Sequence, residues 1–327
     1  MANERDIWAP FSEKYKVHEE SYEFLRQAMA ANMRPYPELG VEKAREQADM
    51  RTKYMCGDVE FQGEVSEIII PSPYSSEGIP ASIYKPASSP EIPVILVYFH
   101  GGGLVVGTRD MNKGPLKIIA QESGAVVVNV EYRLLPNPDA VMAPFDDAVV
   151  ATKWVLENKE VVGGKLGSKV GVGGDSAGGQ IAASVTNDVT GLDFQILVYP
   201  MTDTTLRHES FQEFKKVPGL NEDAIKWFFE NSLLHIPDYT TNPRVNAMVR
   251  TNTEASPPGL ILLAELDPLV GCGLDYAEKL RAAGVSVQVE VIQGVPHAFF
   301  SLREIFKTTT QEAYAHVVTF LKKRQQA

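Results

Sequence analysis

The most informative segment of the sequence is Val170-Gly-Val-Gly-Gly-Asp-Ser-Ala-Gly-Gly179. Its centre, Gly174-Asp-Ser-Ala-Gly178, is a G-x-S-x-G motif between a strand-like apolar run and a helix-like run. A nucleophilic serine in such a sharp turn needs small residues two positions before and after it, so that strand and helix can pass closely. A helix that begins at Ser176 also directs N–H groups towards developing negative charge. Taken alone, the motif is equally compatible with a glycine-rich turn that contains a serine by chance.

Apolar runs of strand length alternate with helix-like stretches along most of the chain. Besides the strand before Ser176, strands are predicted over residues 65–71, 79–86, 94–100, 125–132, 194–199, 259–265 and 285–292. Helices are predicted over residues 147–162, 177–188 and 310–324. Several strands are continuous apolar runs, which is typical of strands buried on both faces of a parallel sheet. The alternation predicts an α/β fold with a mostly parallel central sheet flanked by helices.

Two segments depart from this alternation. Residues 1–56 are polar, with aromatic side chains at helical spacing, and residues 203–247 are too long for an ordinary connection between core elements. We therefore expect an α/β core formed by residues 57–202 and 248–327. The N-terminal segment and the insertion are expected to form a helical cap over it.

A glycine-rich segment at the end of a predicted strand supplies candidate backbone donors. Residues 100–103, His-Gly-Gly-Gly, follow the apolar run that begins at Val94. Consecutive glycines let backbone N–H groups turn towards a ligand without obstruction by side chains, although a flexible turn would also use them. In such a site the glycine segment and the residue after the nucleophile, here Ala177, supply the N–H donors of an oxyanion hole. The residues expected to line a substrate pocket are Leu104, Val105 and Val106.

Chain order selects the candidate base and the carboxylate that orients it. After a serine in such a turn, an acidic residue and then a histidine follow along the chain. His297 follows the last predicted strand, in a loop of the kind where active-site residues collect. Asp267 ends the preceding strand and is preferred over Glu265, inside that strand, and Asp203, after an earlier one. In this arrangement His297 accepts the proton of Ser176 and Asp267 holds the imidazole tautomer.

The motifs together resemble the hormone-sensitive-lipase-like family of α/β hydrolases, from about residue 65 to the end of the chain. The resemblance rests on motifs in the family's order: His100-Gly-Gly-Gly103, Glu131-Tyr-Arg-Leu-Leu-Pro136, Gly174-Asp-Ser-Ala-Gly178, Asp267-Pro-Leu269 and Pro296-His297. It implies the α/β-hydrolase fold and a serine carboxylesterase that prefers short- to medium-chain esters. It also implies the same triad, and an oxyanion hole whose donors are Gly101, Gly102 and Ala177. Tyr132 and Arg133 match positions with structural roles in the family.

The chain departs from the family pattern at three positions. Gly271 stands near a position where the family often has an acidic residue. Ala298 follows the histidine where glycine is usual, and Leu135 replaces an alanine. None of these changes removes a candidate triad residue.

Composition narrows the possible partners. The net charge of −11, without a basic stripe, argues against a nucleic-acid partner. No apolar run approaches the roughly 20 residues of a membrane span. Cys56 and Cys272 lack the spacing of a metal site, so we expect free thiols, no metal and no cofactor. The sequence thus predicts a cytoplasmic enzyme for a small-molecule ester, and the family resemblance suggests a homodimer formed through residues 285–292.

Two other functions stay open at the level of sequence. An acyltransferase, a lyase or a cyclase could use the same scaffold, because a fold and a triad do not fix the substrate. A ligand-binding receptor is less favoured, since all three candidate triad residues are present.

Overall fold

One central sheet of eight strands organises the computed structural model, which describes residues 3–326. The strands are β1 (Gly63–Ser72), β2 (Ser75–Pro86), β3 (Ile95–Phe99), β4 (Val126–Val130), β5 (Val170–Asp175), β6 (Phe194–Val198), β7 (Gly259–Leu266) and β8 (Val287–Pro296). Their order across the sheet is β1-β2-β4-β3-β5-β6-β7-β8. Strand β2 runs antiparallel to both of its neighbours, and all other pairs are parallel. The predicted α/β-hydrolase fold with a mostly parallel sheet is confirmed.

The helices differ from the predictions mainly at their ends. They are α1 (Glu4–Ser12), α2 (Glu19–Ala30), α3 (Val41–Arg51), α4 (Lys113–Ser123), α5 (Ala143–Glu157), α6 (Ala177–Asp188), α7 (Glu209–Glu213), α8 (Glu222–Glu230), α9 (Val270–Ala282) and α10 (Lys307–Gln326). Helix α5 begins earlier than predicted, because Pro144 occupies its first turn, where the missing N–H is not needed. The last strand extends to Pro296 instead of ending at residue 292, so it leads directly into His297.

Helices cover both faces of the sheet, which explains the continuous apolar strands. Strands β3, β4, β5 and β6 are buried along their whole length. Apolar residues of α5, α6 and α9 pack on one face, and those of α4 and α10 pack on the other. A strand enclosed on both faces has no side on which alternating polar residues could reach water.

The order of the strands reverses at β3, which has β4 on one side and β5 on the other. At such a reversal the connections diverge to opposite sides, and a crevice opens at the carboxyl ends of the two strands. The glycine segment, residues 100–103, follows β3, and Ser176 follows β5. The sheet order therefore brings the two motifs to one crevice.

Residues from two distant parts of the chain pack together beside this crevice. Tyr36 stacks on Trp227 of α8 with ring centroids 5.2 Å apart. Trp227 also donates its indole N–H to the carbonyl oxygen of Leu39 over 3.2 Å. Farther along, Phe11 of α1 stacks on Phe214, just after α7, at 6.2 Å. The N-terminal helices and the insertion after β6 are thus in direct contact.

Strand β8 forms one edge of the sheet and pairs with β7 alone among the described strands. The homodimer expected through this strand stays a prediction. Within residues 3–326, no helix has both the length and the apolar character that crossing a membrane requires. The thiols of Cys56 and Cys272 are buried and unbridged.

Candidate active site

Ser176 lies in a strained turn between β5 and α6. Its φ of 57° and ψ of −118° fall in a region that residues other than glycine rarely occupy. The Ser176 N–H donates to the carbonyl oxygen of Val198 over 2.8 Å. A Cβ at Gly178 would lie 2.0 Å from the carbonyl oxygen of Phe99, and one at Gly174 would lie 2.3 Å from the Gly178 backbone. Both glycines of the motif are therefore required by the close approach of strand and helix.

Ser176, His297 and Asp267 form one continuous line of hydrogen bonds. His297 Nε2 lies 2.8 Å from Ser176 Oγ, and its Nδ1 lies 2.6 Å from Asp267 Oδ2. Asp267 is fully buried, and its other oxygen accepts the N–H of Leu269 over 2.8 Å. The ring of Tyr199 packs against His297 at 4.5 Å. These contacts fix the imidazole with Nδ1–H towards the carboxylate and Nε2 towards the serine.

The two other acidic residues that the sequence offers as partners of His297 contact different groups. Glu265 accepts the backbone N–H of Gly294 over 2.7 Å and thereby steadies the end of β8. Asp203 lies 3.1 Å from Nε2 of His208. Neither forms a hydrogen bond with His297 in the described part of the chain, so the geometry favours Asp267.

The Asp203–His208 pair should make folding stability depend on pH. The carboxylate of Asp203 raises the pKa of His208, and Asp275 adds to the effect from 3.2 Å away. A histidine whose pKa rises on folding contributes stability that is fully present below its unfolded value of roughly 6.5 and is lost as pH rises through the folded value. We therefore expect wild type to exceed His208→Gln in melting temperature most clearly at about pH 5 to 6, and less as pH rises.

Thermal unfolding of both proteins between about pH 5 and pH 9 measures this difference. Burial raises the pKa of Asp203, but hydrogen bonds from His208 and Thr205 outweigh it and lower that pKa to about 2. Asp203 therefore stays ionised over the whole range, and the change follows His208 alone. The exposed His235, replaced by Gln, is the control. An equal difference at every pH would contradict the prediction.

The glycine segment and the start of α6 present free backbone donors to the cavity at Ser176. Gly102, Gly103 and Ala177 line this cavity, and their N–H groups have no acceptor within residues 3–326. At Gly102, φ is 120° and a Cβ would lie 1.9 Å from a carbonyl oxygen, so only glycine fits. Gly101 differs, because its N–H donates to Asp175 Oδ1 over 3.1 Å. The prediction of Gly101 as a donor was therefore wrong, and Gly103, which sequence reasoning passed over, is the better candidate.

Asp175 holds the glycine segment from the side of β5. Besides the N–H of Gly101, its Oδ1 accepts the Tyr98 hydroxyl at 3.1 Å and the Asn112 amide at 2.8 Å. Burial raises the pKa of Asp175 to about 6, although these hydrogen bonds oppose the rise. A carboxylate that joins β5 to the glycine segment in this way can set the position of the neighbouring N–H donors. Sequence reasoning treated Asp175 only as the variable position of the motif.

His100 supports the same segment as a neutral ring. It stacks on Tyr132 with centroids 4.3 Å apart, and its Nδ1 lies 2.7 Å from the carbonyl oxygen of Gly101. Burial lowers the pKa of His100 to about 4, so the ring is uncharged at neutral pH. The Tyr132 hydroxyl donates to the His100 carbonyl oxygen over 2.8 Å. These contacts shape the backbone, and they fit the structural role that the resemblance implies for Tyr132.

Asp175→Asn is expected to lower kcat by about 10- to 100-fold, with little change in KM. All three donors bond to Oδ1 of Asp175, and a neutral amide oxygen in its place accepts them without the help of a negative charge. The anchor of Gly101 is then weaker, and the candidate oxyanion donors beside it shift. Steady-state kinetics on p-nitrophenyl acetate measures the effect. Asp139→Asn, at an exposed position, is the control, and an unchanged kcat for Asp175→Asn would contradict the argument.

A cavity of about 730 Å³ opens in front of Ser176. Leu104 lines it, as predicted, but Val105 and Val106 do not. These two valines are fully buried and pack against Leu39, Ala44, Ala48 and Trp227. The prediction was wrong for these two valines because α3 lies over them and separates them from the cavity. Much of the wall comes instead from residues between Phe24 and Arg51 and between Gly219 and Leu233.

Comparison with known proteins shows the family to which the chain belongs. A family model described as alpha/beta hydrolase fold matches residues 96–301. The chain is 30% identical to an ethyl acetate hydrolase of Pseudomonas putida over 286 residues, which are 85% of this chain and 89% of that protein. It is 38% identical to esterase LipI of Mycobacterium tuberculosis over 242 residues, 70% of this chain and 73% of LipI. The chain belongs to the hormone-sensitive-lipase-like family of α/β hydrolases.

Solved structures of esterases share the fold of this α/β hydrolase over nearly its whole length. A hyperthermophilic esterase from the archaeon Pyrobaculum calidifontis superposes with a TM-score of 0.84 and 29% identity, covering 95% of this chain and 99% of that one. Ester hydrolase EH1AB1 from the metagenome of Lake Arreo gives a TM-score of 0.86 and 28% identity, covering 95% and 100%. Like these relatives, the chain is a carboxylesterase.

Two departures from the pattern of the hormone-sensitive-lipase-like family lie beside the candidate site. Ala298, directly after His297, has a φ of 69°, which glycine adopts with less strain. At Gly271 a Cβ would lie 2.8 Å from the Cβ of His208. An acidic side chain at position 271 would therefore displace His208.

Proposed function

We propose that Ser176, His297 and Asp267 are the catalytic triad of a serine carboxylesterase that cleaves short- to medium-chain esters. The unbroken hydrogen bonds from Ser176 Oγ through His297 to Asp267 carry this proposal. As Ser176 Oγ attacks the ester carbonyl, His297 Nε2 accepts its proton, and the carboxylate of Asp267 stabilises the imidazolium that forms.

The oxyanion of the tetrahedral intermediate would be bound by backbone N–H groups of Gly102, Gly103 and Ala177. Donors that are already in place when the charge develops need no reorganisation during the reaction. His297 then gives its proton to the leaving alcohol, and an acyl group remains on Ser176. A water molecule then loses a proton to His297 and attacks the carbonyl carbon of the acyl-enzyme. The same N–H groups would bind the second tetrahedral oxyanion, whose collapse releases the acid.

We further propose that residues 1–56 and the insertion 203–247 act together as the cap that selects the ester. Both segments contribute to the wall of the cavity, and Tyr36, Trp227 and Phe228 form an aromatic cluster there. A volume of about 730 Å³ is within the ordinary range of small-molecule sites and fits an acyl chain of limited length. This supports the preference for short- to medium-chain esters.

A series of p-nitrophenyl esters from acetate to palmitate tests the proposed reaction. We expect the highest kcat/KM among the short and medium acyl chains and a steep fall for the longest. A fluorophosphonate probe should label one residue, which peptide mass mapping should locate at Ser176. Absence of both turnover and labelling would reject the proposal, whereas labelling without turnover would indicate acyl transfer to another acceptor.

Location and assembly complete the proposal. The buried, unbridged thiols of Cys56 and Cys272 support a reducing compartment such as the cytoplasm. The unpaired edge of β8 supports a homodimer, because an edge strand offers a row of backbone donors and acceptors to a second copy. Light scattering coupled to size-exclusion chromatography measures the oligomeric state.

A further inference from the structure

Arg51 places a cation in the active-site cavity. It is the last residue of α3 and lines the same cavity as Ser176 and His297. Within residues 3–326, no carboxylate pairs with its guanidinium, and its buried Nε has no hydrogen-bond partner. An arginine carries five N–H donors, so the site has unused capacity for an acceptor.

The other basic residues of the cavity wall are already paired. Arg34 lies 3.0 Å from the carboxylate of Glu38, and Lys226 lies 2.8 Å from that of Glu222. Both pairs are solvent-exposed at the outer part of the wall. Among the described residues of this wall, Arg51 is therefore the basic side chain without a carboxylate partner.

The surroundings of Arg51 keep it charged. Burial lowers the pKa of its guanidinium, but Tyr36, Cys56, Tyr199 and Asp175 together raise that pKa above its ordinary value. Asp175 attracts Arg51 without an ion pair between them, and the three hydrogen bonds that Asp175 accepts come from other groups. The guanidinium is partly exposed to the cavity, but its buried Nε has no hydrogen-bond partner among the described residues, which costs free energy. The presence of this cation in the cavity of Ser176 is explained if an anion binds there.

Helix α3 fixes Arg51 relative to the proposed oxyanion hole. Arg45, earlier in the same helix, donates to the carbonyl oxygens of Val105 at 2.9 Å and Leu135 at 3.0 Å. Directly after Arg51 the backbone changes to a π-helical turn over Thr52–Cys56. Such turns are rare and occur frequently at functional sites. The guanidinium is thus held by a rigid element that is tied to the loop beside the glycine segment.

We propose that Arg51 binds a carboxylate of the substrate, so that the preferred esters of this enzyme carry a free carboxylate in their acyl or alcohol part. The proposal rests on the proposed function of Ser176 and specifies its substrate class. A guanidinium binds a carboxylate through two parallel N–H···O bonds, which fix orientation as well as charge. The bound carboxylate would position the ester carbonyl relative to Ser176.

Two pairs of probe esters test the proposal and locate the carboxylate. Monoethyl glutarate is compared with its neutral amide, ethyl 4-carbamoylbutanoate, for the acyl part. Acetoxyacetate is compared with 2-acetoxyacetamide for the alcohol part. Steady-state hydrolysis is followed by titration of released acid at neutral pH, with wild type, Arg51→Met and Arg51→Lys.

One of the two pairs should place its carboxylate at Arg51. For that pair, we expect Arg51→Met to raise KM for the carboxylate ester by about 10- to 100-fold, while kcat/KM for the amide stays within about threefold. Arg51→Lys should keep part of the preference, since it retains the charge but loses the planar fork. Arg281→Met, an exposed arginine on α9, should behave as wild type. Melting temperatures show that each variant is folded.

The outcomes separate the two proposals. Equal effects of Arg51→Met on both members of each pair would make Arg51 a structural residue and overturn the inference, while Ser176-dependent turnover would leave the proposed function intact. If no ester is hydrolysed and the fluorophosphonate does not label Ser176, the proposed function itself fails. A carboxylate preference that survives in Arg51→Met would assign anion binding to another residue and also overturn the inference.

Discussion

Ser176→Ala is expected to lower kcat for p-nitrophenyl butyrate by about five to six orders of magnitude, with KM nearly unchanged. The substitution removes the proposed nucleophile, so hydrolysis would have to rely on direct attack by water. The cavity and the donors at Gly102 and Gly103 remain, and they leave a small residual rate above that of solution. The turn stays strained with either residue, because φ at this position is 57°.

Kinetics and labelling together measure this effect. Ser76→Ala, at an exposed position in the β1–β2 hairpin, should retain full turnover and full fluorophosphonate labelling. The label should be absent from Ser176→Ala. Turnover that persists at more than about one thousandth of the wild-type rate would show that another group is the nucleophile.

Asp267→Asn is expected to lower kcat by about four orders of magnitude without unfolding the protein. The amide oxygen can still accept the N–H of Leu269, which preserves the local turn. The amide nitrogen, however, then faces His297 Nδ1 and donates to it, which forces the proton of the neutral ring onto Nε2. In that tautomer the ring cannot accept the proton of Ser176.

The rate of fluorophosphonate labelling should fall together with kcat, because both need an activated Ser176. Asp139→Asn provides the matched change at an exposed aspartate, and its kcat should equal that of wild type. A loss of less than about tenfold in Asp267→Asn would show that the orientation of His297 does not depend on this carboxylate.

The fold and the candidate triad were predictable because their signals are local or ordered along the chain. Continuous apolar runs indicate buried strands, and the motifs at Ser176, Asp267 and His297 stand at strand ends in the order that this fold requires. The glycine segment was found in the same way. Which of its N–H groups are free to bind an oxyanion could not be predicted, because the N–H of Gly101 donates to Asp175, 74 positions away in the sequence.

The lining of the cavity could not be predicted for a different reason. Val105 and Val106 are apolar and adjacent to the glycine segment, and only the packing of α3 over them shows that they face away from the cavity. Arg51 is an ordinary basic residue at the end of a polar helix, and its significance depends on the fold, which carries it to the cavity with no carboxylate partner among the described residues. Both depend on contacts between segments that are distant in sequence.

Arg45 limits how this enzyme can be redesigned. Its two hydrogen bonds join α3 to the carbonyl oxygens of Val105 and Leu135, beside the loop that carries the glycine segment. A chimera that imports residues 4–56 from another esterase would break both bonds unless the donor also has an arginine at this place. We therefore expect such a chimera to lose catalytic rate. Point substitutions in residues 4–56 that leave Arg45 in place would avoid this loss.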